Sequence, residues 1–207
     1  MDGGQRKARP EQPAKSVKSV ESVVSLFLFI LIGVLTAAVG ELQYSVLIRG
    51  DWANLFGSMF FNAFYLSGAF VLTRLLLRVL PRRAAFVVIV ALAAFAGLMV
   101  EWFLIGNSPW GNPDASQIGM AAYWACLVTV PLIVIDREPR LRPLQRTIAI
   151  YAAVYTLLVL AAQALLPRET LGYVYHIWSV IFGYLGLATI AVIGNMKSEQ
   201  TVGRTIS

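Results

Sequence analysis

The sequence predicts an all-α polytopic membrane protein, a bundle of six transmembrane helices with both termini on the cytoplasmic side. Three observations carry that reading: long continuous apolar runs, few charges, and a strict alternation of basic residues between the connections. Of the 207 residues, 58% are hydrophobic and only 14% are charged. A soluble domain carries about 25% charged residues, so little of this surface is meant for water. The apolar runs are continuous rather than alternating. A hydrocarbon core leaves backbone groups without partners outside a helix or a closed barrel, which argues against strands.

A spanning helix needs about 20 mostly apolar residues. Six stretches meet that length: 23–39, 53–73, 84–105, 117–135, 147–166 and 171–194. Together they make one membrane domain over 20–196, with a basic, disordered cytoplasmic tail at 1–19 and a second cytoplasmic tail at 197–207. One rival reading takes 15–38 as a signal peptide, with Thr36, Ala37 and Ala38 as the small-residue cleavage site. The length of the apolar stretch, and the place of the first helix in the charge pattern, favour a retained span.

Orientation follows from Lys and Arg in the short connections. The first tail holds Arg6, Lys7, Arg9, Lys15 and Lys18. Arg74, Arg78, Arg82 and Arg83 lie between helices two and three, and Arg137, Arg140, Arg142 and Arg146 between helices four and five. The last tail holds Lys197 and Arg204. Only Arg49 and Arg168, of 17 Lys and Arg, fall on the other side. The pattern is that of a bacterial inner-membrane protein with N-in, C-in topology. The net charge of +6 is therefore an anchor against anionic headgroups and not a nucleic-acid footprint.

The longest external connection, 106–116 (GNSPWGNPDAS), is rich in turn formers. Trp52, Trp102, Trp110 and Trp178 form the aromatic belt of that interface. The cytoplasmic stretch 136–143 (DREPRLRP) reads as a stiff exposed turn. Three helices on either side of the external connection permit a three-plus-three inverted repeat, although the two halves share no residue-level similarity. Pro131 lies within helix four and is expected to kink it. Gly57, Gly68 and Gly97 are expected to allow close helix packing.

Chemistry points to the outer half of the bundle. Glu101 lies 17 residues beyond Ala84, which is about 26 Å at 1.5 Å per residue, near the far edge of a core about 30 Å thick. Glu41 ends helix one at a similar depth. Asn54, Ser58 and Asn62 recur every four residues along one face of helix two, and Tyr65 continues it. Helix four adds Gln117 and Tyr123, helix five Gln163, and helix six His176 among Tyr173, Tyr175 and Trp178. The candidate proton, cation or substrate site is thus Glu41, Glu101, His176, Asn54, Asn62, Gln117 and Gln163. The plainer reading of the two Glu is an interfacial or capping role, that of His176 a satisfied interfacial side chain, and that of the Asn stripe interhelical hydrogen bonding. Were Glu41 and Glu101 to approach each other in a low-dielectric site, they would not both ionise easily, and the pair would accept a proton or hold a cation. With His176, such a pair would have the donor types of a metal site, though no metal and no cofactor is assigned.

The exclusions are narrower. Cys126 is the single cysteine, which rules out an intramolecular disulfide and a cysteine-cluster metal site. The single His176 rules out paired-His haem ligation by this chain alone. Lys stands only at 7, 15, 18 and 197, so no buried Lys is available for a Schiff base. Walker, nucleophile-elbow, HExxH and dinucleotide glycine motifs are absent. The expected function is a small carrier or channel with an outward-facing polar site for a small molecule or cation. The alternatives are a membrane enzyme acting on a lipid or isoprenoid, with a Glu as general acid, and an accessory subunit of a larger membrane complex. The expected partners are the lipid bilayer and the small molecule or cation, with a homo-oligomer or a membrane-complex partner also open.

Overall fold

Long apolar runs wind into helices, one of them passing through Pro131, that end where the chain meets Pro, Gly or charge. In the computed structural model, residues 15–111, 116–167 and 170–205 are described, the side chains of 15–21, 173, 174, 176–179 and 198–205 excepted. Helix α1 comprises Lys15–Glu41 and a π-helical continuation, Leu42–Ile48. Helix α2 spans Trp52–Val79. Helix α3 comprises Arg82–Val100 and a π-helical end, Glu101–Ile105. Helix α4 spans Gln117–Val134. A 3-10 turn at Pro139–Leu141 leads into α5, Arg142–Leu165. Helix α6 runs through Leu171–Val174, a π-helical stretch Tyr175–Leu185, and Gly186–Thr205.

Among the described residues every regular element is helical, and six helices are long and apolar enough to cross a membrane. Burial tells the same story. Phe56, Phe60, Phe64, Phe95 and Phe103 lie on the outside, while Gln43, Ser45, Asn62, Glu101, Thr129 and Asn195 are buried. A chain in water would hide the rings and expose the amides. This one has the make-up of a multi-pass membrane protein whose outer surface contacts lipid.

Helix α4 is the axis of the bundle. Of its apolar span, 61% is buried inside the protein, against 11% for α5. One buried cluster joins Phe29, Leu66, Phe70 and Ile89 to Trp124 and Leu127, and another joins Phe86, Ile133 and Ile148 to Cys126, Tyr184 and Leu187. α4 contributes to both. Close approach to it requires missing side chains. A Cβ at Gly97 would overlap the Trp124 ring, and one at Gly33 would lie 2.9 Å from the Leu127 carbonyl oxygen. Gly57 and Gly68 were expected to serve in the same way and do not, because a Cβ at either would meet nothing within 4 Å. Gly57 lies on the exposed side of α2, and Gly68 lines an open groove between α2 and α3.

The connections are set by local chemistry. Asp51 caps α2 by accepting from the Asn54 amide at 2.9 Å, and Ser116 caps α4 by accepting from the Gly119 amide at 3.2 Å. After α4, the Gln145 side-chain amide donates to the carbonyls of Ile133 at 2.9 Å and Asp136 at 2.6 Å, satisfying groups the helix end leaves open. Arg82 at the start of α3 pairs with Asp136 and Glu138, and Glu138 also pairs with Arg140. The 136–143 turn is thereby tied to α3. Residues 15–19, read from sequence as part of a tail, begin α1, and α6 continues to Thr205, past the start of the second tail. Residues 1–14, with the larger part of the basic tail, lie outside the described residues.

Candidate functional site

Two carboxylates turn inward at one end of the bundle, and each sits where its helix changes winding. Glu41 is the last residue of the α-helical part of α1, and Glu101 is the first residue of the π-helical end of α3. In the same layer α6 is π-helical through Tyr175–Leu185. Short π-helical insertions are uncommon and are often found at functional sites, since the extra residue per turn re-aims the side chains that follow.

Glu101 is only 8% exposed. Its carboxylate accepts from the Trp124 indole at 3.1 Å and from the Asn107 side-chain amide at 2.8 Å. Gly106 makes the second contact possible. Its φ of +89° turns the chain back, so that the Asn107 amide also donates to the Glu101 carbonyl at 2.8 Å. Around this turn, Gln117 accepts from the Trp102 indole at 2.6 Å and donates to the Asn107 carbonyl at 3.2 Å.

Glu41 accepts from the Tyr123 hydroxyl at 3.0 Å and from the Ser45 hydroxyl at 3.4 Å. Asn62 donates to the Tyr123 hydroxyl at 3.1 Å, and Asn54 donates to Ser45 at 2.7 Å. Of the polar stripe on α2, Asn54 and Asn62 both reach helix α1 or α4. The neighbouring Gly40 amide donates to the Tyr184 hydroxyl at 3.0 Å, while that hydroxyl donates to the carbonyls of Thr36 or Ala37 at 3.1 and 3.2 Å. A Cβ at Gly40 would overlap the Tyr184 ring, so glycine beside Glu41 is what lets α6 lie against α1.

The two carboxylates do not touch. They flank the Tyr123–Trp124 pair, whose rings stand nearly perpendicular with centroids 5.3 Å apart. The Tyr184 ring packs edge-on to Tyr123 at 4.9 Å, and the Tyr65 ring to Trp124 at 4.7 Å. The result is a closed layer of carboxylates, aromatic donors and amides in which every named hydrogen bond to a carboxylate comes from a neutral group. The nearby Arg49 lies over the Tyr44 ring, 4.2 Å from its centroid.

Of the residues singled out from sequence, Glu41, Asn54 and Asn62 are linked through Ser45 and Tyr123. Glu101 and Gln117 are linked through Asn107. Gln163 is joined to neither group, and its buried side-chain nitrogen has no hydrogen-bond partner among the described residues. The side chain of His176 lies outside the described residues. Among the described residues no three His, Cys, Asp or Glu side chains come together as metal ligands do. Trp124 and Tyr184 were not singled out. Their signal is position: a Trp or Tyr in the middle of an apolar helix, away from the interfacial belt, needs a partner for its N–H or O–H.

Two of the cavities beside the bundle are formed by described residues. One, of about 340 Å³, is an apolar groove between α2 and α3 that includes Phe64, Tyr65, Gly68 and Ala96. The other, of about 50 Å³, lies towards the arginine-rich end and includes Thr73, Arg82, Asp136 and Asn195. Neither is lined by Glu41 or Glu101. The fold and its buried polar layer define a multi-pass membrane protein. No family model matches the chain, and no curated protein or solved structure matches it significantly.

Proposed function

We propose that the protein is a small membrane carrier or channel in which Glu41 and Glu101 take up a proton or a cation. One observation carries this reading. Two carboxylates from different helices face the interior and are held by neutral donors on adjacent residues of the central helix. An ionised carboxylate in such surroundings is costly, and a proton or a cation relieves the cost. Structural ion pairs are built differently, with Arg or Lys as the partner. The positive-inside pattern of the connections puts this layer on the outer side of the membrane, most simply a bacterial inner membrane. The closed hydrogen bonding fits an occluded state, and the π-helical stretches of α1, α3 and α6 supply places where these helices can rewind. Gln163 and His176 belong to the proposal as further polar groups of the outer half.

The test is ion flux in proteoliposomes loaded with a pH-sensitive dye, under imposed proton, Na⁺ or K⁺ gradients. The wild-type protein should carry flux above that of protein-free vesicles. Glu41→Gln and Glu101→Gln should each lower it by at least about tenfold, the effect of losing roughly 1.4 kcal/mol of site energy. Flux equal in wild type and both variants would end the proposal.

A second reading, a membrane enzyme acting on a lipid, draws support from the lipid-open groove between α2 and α3. That reading calls for Glu101 at the polar end of the groove. The groove ends instead at Tyr65, whose hydroxyl is bonded to the Ala93 carbonyl at 2.9 Å, with Glu101 behind Trp124. The carrier reading is therefore preferred.

A further inference from the structure

The groove between α2 and α3 has a floor of small residues, Gly68, Ala93 and Ala96, between rims built by Phe64, Leu72 and Leu92. Gly68 is not spent on helix packing, because a Cβ there would meet nothing within 4 Å. Its effect is to leave the groove open. At about 340 Å³, the space is far too small for a helix, which with side chains is about 10–12 Å across, and it suits a single hydrocarbon chain. The lower end of the groove runs towards the small polar cavity, because Thr73 and Ile89 line both. Beyond that point, the hairpin from α2 to α3 presents Arg74, Arg78, Arg82 and Arg83 without an acidic residue of its own. Arg82 is paired with Asp136 and Glu138, Arg83 donates to the Met196 carbonyl and Arg74 lies over the Phe70 ring, whereas Arg78 is exposed in the last turn of α2.

We infer that this groove holds one acyl chain of an anionic phospholipid whose phosphate is met by the arginines of the α2–α3 hairpin. The rims and floor supply the apolar contact, and the hairpin supplies the charge that separates an anionic from a zwitterionic headgroup. The site is separate from the carboxylate layer and does not depend on the carrier reading.

The test is native mass spectrometry of the full chain, delipidated in detergent and titrated with phosphatidylglycerol or phosphatidylcholine. One phosphatidylglycerol per chain should be retained at concentrations where phosphatidylcholine is not. Gly68→Leu fills empty space and should keep the fold while weakening retention about tenfold, the effect of displacing roughly two buried methylenes. Ala96→Leu blocks the groove from the other helix and should do the same. Arg78→Gln should leave a bound lipid but reduce the preference for phosphatidylglycerol about fivefold, as one arginine near a headgroup does. Equal retention of the two lipids would overturn the inference, as would unchanged retention in both blocking variants. Recovery of a second copy of the chain in place of the lipid, lost on Gly68→Leu, would assign the groove to a protein contact and overturn it too.

Discussion

The two ends of the bundle handle acidic residues in opposite ways. At one end Glu101 is buried and Glu41 half-buried, and their partners are a phenol, an indole, a hydroxyl and an amide. At the other, Asp136 and Glu138 pair with Arg82 and Arg140 in side chains that stay 21–37% exposed. The second arrangement is that of a surface ion pair, screened by water and salt and worth little. Among the described residues the hydrogen-bond partners of the first are all neutral. An Arg-paired carboxylate, by contrast, is already neutralised. Composition cannot tell these cases apart, because both ends use the same acidic residues. What separates them is which neighbours the fold delivers.

The largest expected effect comes from removing the close approach that builds the carboxylate end. Gly97→Leu would drive a side chain into the Trp124 ring, and should destabilise the protein by about 3 kcal/mol or lose the folded form in mild detergent. Thermal scanning and size-exclusion elution would measure this. The same substitution at Gly57, which faces open space, should be nearly neutral.

A smaller loss is expected from Tyr123→Phe, which removes the donor to Glu41 and the acceptor of Asn62 together. Interhelical hydrogen bonds in membranes average about 0.6 kcal/mol with a maximum near 1.7, and two are lost, so a cost of about 1–2 kcal/mol is expected. In a double-mutant cycle with Asn62→Leu the losses should be strongly non-additive, since both remove one bond of the same chain. Additive losses would mean that the Asn62–Tyr123–Glu41 link is not energetically connected.

The smallest effect belongs to the arginine-rich end. Arg82→Gln breaks both of its ion pairs, yet should cost under about 1 kcal/mol, a difference that shrinks further at high salt. A loss there as large as that at Tyr123 would erase the contrast between the ends.

Much of the fold was legible because its cause is local. Six apolar runs correspond to six helices long and apolar enough to cross a membrane, although α1 extends past its run at both ends, α2 and α6 extend past theirs at the C-terminal end, and α5 begins before its own. The caps at Asp51 and Ser116 and the glycine turn at Gly106 follow from residue type as well. Part of the polar layer was legible too. Glu41, Asn62 and Glu101 stand out because polar groups within apolar helices are rare. What could not be read was how they pair. The π-helical winding from Glu41 and at Glu101 leaves no mark in the residues themselves.

The sequence by itself determined that the chain crosses a membrane as helices, because hydrocarbon admits no unpartnered backbone and the apolar runs have the required length. It also determined where the rare carboxylates lie along those helices. Only the tertiary structure decided that α4 is the axis, that Tyr123 and Trp124 stand between Glu41 and Glu101, and that Gly68 opens a groove while Gly97 closes a contact. Depth along a helix is set by counting residues. Rotation about its axis, and the neighbour it meets, is set by how six surfaces pack at once.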